Sequence, residues 1–128
     1  TKCEPEGPWV LPGTYTVRLT VDGVAQTQSL TVRMDPRVKT SLPELTRQHD
    51  LSLALHDAII ESRTFAAAAE AKGQPELARA LAAIAGRHQS VIDAVQDADA
   101  PLTDAMVRAA MERLEAWRAL RARWLAVR

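Results

Sequence analysis

A single cysteine, Cys3, stands in the whole chain, so no internal disulfide is available to staple a fold. A lone thiol near the start of the chain reads as unpaired and is assigned no role. Charge of one sign is not in excess either. Sixteen basic residues balance sixteen acidic ones, which removes the electrostatic argument for a nucleic-acid or anionic-membrane partner. No apolar run approaches the ~18 residues that span a bilayer. The first residues lack the basic-then-apolar layout of a signal peptide. At 128 residues the length fits one domain better than two.

Glycine becomes scarce after Pro36, and the composition shifts there from Thr, Val, Gly and Pro to Ala, Leu, Arg and Glu. That is the change expected where strands give way to helices. In the first part Tyr15, Val17, Leu19 and Val21 alternate with Thr14, Thr16, Arg18 and Thr20, the period of a strand with one dry face. Asp22-Gly23 suits a two-residue type I′ turn, whose central residues both need positive φ. With that loop, Val21 faces Val24 and Tyr15 faces Leu30, so Leu30, Val32 and Met34 join the apolar face. Gln26 and Gln28 interrupt it near the turn, and the Tyr15 and Leu30 end is expected to be buried. Pro36 ends the second strand. A hairpin alone is marginal in water. Its face therefore needs a cover: a short strand at Trp9, Val10 and Leu11, the helical region, or a second copy of the chain.

The remainder reads as three helices, at about 41–72, 75–97 and 103–127. Ser41-Leu-Pro-Glu44 has the form of a capping box with proline in the first turn, and Gly73 stops the first helix. Leu77, Leu81, Ile84, His88, Val91 and Val95 form the stripe of the second. Thr103 can cap the third, which carries Val107, Ala110, Leu114, Trp117 and Trp124 on one face, with Arg121 and Arg128 on or near that stripe. The fold class is α+β, mostly α: an N-terminal hairpin over 1–36 and a three-helix antiparallel tail over 37–128. Helices two and three are expected to be the tightest pair.

Nothing in the residue pattern makes a catalytic centre. His49 and His56 are seven apart, whereas helical zinc pairs sit at i and i+4 with a third ligand nearby, so no metal site is assigned. His88 falls in an apolar stripe and reads as a core or boundary histidine satisfied by one hydrogen bond. Asp50 and Asp57, also seven apart, have no evident cleft in which to converge as a hydrolytic pair. Trp117 and Trp124 sit at core spacing, which leaves Trp9 the more open candidate for stacking against a sugar. The arginines Arg113, Arg118, Arg121, Arg123 and Arg128 are interspersed with Glu112 and Glu115, as on an ordinary charged helix surface. No cofactor is implied.

Pro12-Gly-Thr-Tyr-Thr-Val-Arg-Leu-Thr-Val-Asp-Gly23, continued by Leu30-Thr-Val-Arg-Met-Asp-Pro-Arg37, resembles the C-terminal end of bacterial secreted sortilin-like or Asp-box β-propeller proteins, often labelled glycosyl hydrolases. Val95-Gln-Asp-Ala-Asp-Ala-Pro-Leu-Thr103 and Trp117-Arg-Ala-Leu-Arg-Ala-Arg123 are similar to tail segments of that group. The resemblance implies a partial immunoglobulin-like hairpin joined to a helical tail, in a periplasmic or extracellular protein whose ligand-binding residues lie in the propellers. Gln26 stands where an aromatic is common in the family, and the usual Leu-Pro-x-Leu-Asn continuation is missing. The chain is then expected to be a non-catalytic assembly module. Its interaction face is Tyr15, Val17, Leu19, Leu30 and Val32, and its partner is another copy or the parent's propeller domains. A carbohydrate-binding accessory module using Trp9 and Tyr15 is the alternative, with a hydrolase in its own right a third.

Overall fold

A computed structural model describes residues 7–97 and 100–127. Two strands, β1 (Gly13–Val21) and β2 (Val24–Val32), precede three helices, α1 (Leu42–Ala71), α2 (Pro75–Gln96) and α3 (Asp104–Val127). The strands pair antiparallel in the register expected from the sequence, with Tyr15 opposite Leu30 and Val21 opposite Val24. Asp22 and Gly23 hold φ of 49° and 81°, the doubly positive geometry of a type I′ turn. Trp9, Val10 and Leu11 form no strand, so the sheet has two strands among the described residues.

Local chemistry sets the helix limits. Glu44 accepts hydrogen bonds from the Ser41 amide at 2.8 Å and its hydroxyl at 2.6 Å, which fixes the start of α1. Its end is a Schellman motif: Gly73 takes φ of 69°, its amide reaches the Glu70 carbonyl at 2.9 Å, and the Gln74 amide reaches Ala69 at 3.0 Å. Pro75 then starts α2 in its first turn, where a missing amide costs nothing. Thr103 caps α3 by accepting the Met106 amide on its hydroxyl at 3.2 Å.

The core lies wholly among the helices. Leu55, Ile59, Leu81 and Ile92 are its largest fully buried apolar side chains, each contributing about 1.5–3 kcal/mol by leaving water. Trp117 and Trp124 are buried, as their spacing requires, and flank Phe65 at centroid distances of 6.1 and 5.9 Å. The tightest pair is α1 with α2, not α2 with α3. The physical reason is the linker: the three residues 72–74 fold the first two helices directly back on each other, whereas the longer 97–103 connection lets α3 settle across both. The N-terminal part of α1 meets the end of α2 and the segment before the hairpin, and its C-terminal part meets α3.

Candidate docking face of the hairpin

No helix packs against either strand. Cross-strand partners share a face, so the side that carries Tyr15, Val17, Leu19 and Val21 also carries Leu30, Gln28, Gln26 and Val24. The expected burial of the Tyr15 and Leu30 end is met only in part. Tyr15 and Val32 are half-buried, but Leu30 is 51% exposed, level with Val17 at 51% and below Leu19 at 62%. The helices stand beyond the base of the hairpin rather than beneath its face, which leaves Leu30 uncovered.

That face holds no ionisable group except the Tyr15 phenol, whose hydroxyl donates to the Leu11 carbonyl at 2.6 Å. Arg18, in register with Thr27, lies on the opposite, threonine-rich side. Both strands run nine residues with neither proline nor lysine and with unbroken register, so Arg18 is the one charged residue that protects either edge.

A short strap ties the hairpin to the bundle. Gln96, buried at the end of α2, accepts the Trp9 amide at 2.7 Å and donates to the Gly7 carbonyl at 3.4 Å, while Gln48 of α1 donates to the Val95 carbonyl. Beneath the strap lies a small cavity of about 50 Å³, lined in part by Leu11, Met34, Leu45 and His49. Sequence gave no sign of Gln48 or Gln96, since a glutamine in a helix is ordinarily a surface residue.

The other candidates remain apart. His49 lies 3.3 Å from Asp50, and no group of three potential ligands able to hold a metal occurs among the described residues. Asp50 and Asp57 are both exposed on α1. His88 is in the core as its stripe requires, but the expected hydrogen bond is not made: neither ring nitrogen has a partner. The acceptor nearest the ring is the Ile84 carbonyl one turn earlier in α2, which does not reach full hydrogen-bond geometry. Burial pushes its pKa down, the Ile84 carbonyl opposes this, and the charge of Arg113 adds to it. Arg121 spans to Glu61 of α1 with its Nε at 3.0 and 2.9 Å from the two carboxylate oxygens, an ion pair that raises the arginine pKa. Trp9 is exposed, whereas Trp117 and Trp124 are enclosed, so the three indoles make no common platform. No described helix is long and apolar enough to cross a membrane.

Comparison with protein-family models, curated proteins and solved structures returns no match.

Proposed function

We propose that this chain is a non-catalytic assembly module whose hairpin face docks against other β-structure. One observation carries the reading: Val17, Leu19, Val21, Val24 and Leu30 form an uncharged sheet face, each at least half exposed, on a bundle that already has its own core. One apolar face and one threonine-rich face is the pattern of half a β-sandwich. The resemblance of residues 12–37 to the terminal strands of exported sortilin-like propeller proteins supports a parent of that kind, with the missing sheet supplied by its other domains or by another copy.

The test is a Val17→Thr, Leu19→Thr, Leu30→Thr variant compared with wild type. In isolation the wild-type face is either paired or bare. Wild type is therefore expected to self-associate in light scattering or to bind a dye selective for apolar surface. The variant should lose that behaviour while its helical melting curve stays unchanged. A wild-type monomer that binds no dye, with its hairpin melting as one unit with the helices, contradicts the reading.

A further inference from the structure

Over Val24–Leu30, short of the half-buried Val32, the order of residues on the face is palindromic. Along β2 it runs Val24, Gln26, Gln28, Leu30: apolar, polar, polar, apolar in either direction. Along β1 the positions in register with these are Val21, Leu19, Val17 and Tyr15, apolar throughout. The centre of both series is the Arg18–Thr27 pair, whose side chains point to the other side of the sheet.

Resting on the docking reading, we infer that the occupant of the face is a second copy of the same chain, stacked face to face about a two-fold axis that crosses the strands at Arg18 and Thr27. Two sheets stack ~10 Å apart. With the axis at that point, Val17 of one copy lies over Leu19 of the other, Tyr15 over Val21, and Leu30 over Val24. Gln26 lies over Gln28 of the second copy, and the relation repeats across the axis, as an isologous interface requires. A primary amide carries both donors and an acceptor, so two facing glutamines satisfy each other in a site that would penalise them singly.

Two further observations favour this occupant. Placing two identical copies of this face together opposes no like charges, because it carries none. The crossing axis also sends the two helical bundles to opposite ends of the stack, whereas an axis along the strands would bring both to one end and set Gln26 over a leucine or valine.

Sedimentation velocity over a wide concentration range is the test, with two double variants. Gln26→Glu, Gln28→Glu gathers four carboxylates at the axis and is expected to raise the dimer dissociation constant at least ~100-fold. Gln26→Glu, Gln28→Lys sets each carboxylate over an ammonium group of the other copy and is expected to hold it within ~10-fold of wild type. Helix circular dichroism should be the same in all three. A dimer that survives the first variant, or loses the second as readily as the first, overturns the arrangement. So does a wild-type monomer throughout; if that monomer binds the apolar-surface dye, only the second-copy occupant fails, and if it binds none, the docking reading fails with it.

Discussion

The backbone amide of Trp9 donates to Oε1 of Gln96 at 2.7 Å, joining residues 87 positions apart. This bond is what attaches the segment before the hairpin to the far end of α2, where Gln96 is nearly fully enclosed. Gln96→Ala should cost about 1 kcal/mol, the usual net value of one such bond. It should also speed amide exchange at Trp9 while leaving exchange in the middle of α2 unaltered. Unchanged exchange at Trp9 would mean that the strap is held elsewhere.

Acid should destabilise the bundle through His88. Its pKa is held below that of the unfolded chain by burial, so below about pH 6.5 the unfolded state takes up a proton that the folded state refuses. Stability from this source is complete above that value and declines as pH falls toward the depressed folded pKa, by up to ~1.4 kcal/mol per pH unit. His88→Leu, which keeps an apolar side chain in the stripe, should flatten this limb in denaturant titrations at pH 5 and 7. An equal acid loss in the variant would place the titrating group elsewhere.

Core and hairpin should respond oppositely to truncation. Leu81→Ala removes a fully buried side chain between packed helices and should cost ~2–5 kcal/mol in thermal unfolding followed at the helical band. Leu19→Ala touches no helix and should leave the same transition within ~0.5 kcal/mol. Coupled losses would show that the hairpin folds against the bundle.

The Glu61–Arg121 pair crosses from α1 to α3 near the surface. Arg121→Met should lower the melting temperature less than any core truncation, and the difference from wild type should shrink as salt rises. A salt-independent loss would assign the arginine's contribution to packing of its aliphatic stem.

Much of this architecture was legible because it rests on short-range rules. Period-two alternation around Asp22-Gly23 specified the hairpin and its register. Ser41, Gly73, Pro75 and Thr103 marked helix limits to within a residue or two, through capping and backbone chemistry. What escaped was set by distance in sequence. The close α1–α2 pairing follows from how three linker residues fold back, and Glu61 meets Arg121 across 60 positions. Gln48 and Gln96 carry no local signature that separates a tether from a surface glutamine. The absence of a partner for His88 depends on which atoms surround it, and a stripe of apolar positions specifies burial without specifying acceptors. The docking face was visible as a pattern, and its exposure became evident only once the helices were placed beyond the hairpin's base.

Amide exchange of the hairpin as a function of protein concentration tests the central claim most directly. If β1 and β2 present a face that a second copy covers, their amides should gain protection as concentration rises, while those of α1 and α2 stay constant. Hairpin protection that matches the bundle at the lowest concentration and does not change would contradict it, because the face would then be covered by the chain's own helices.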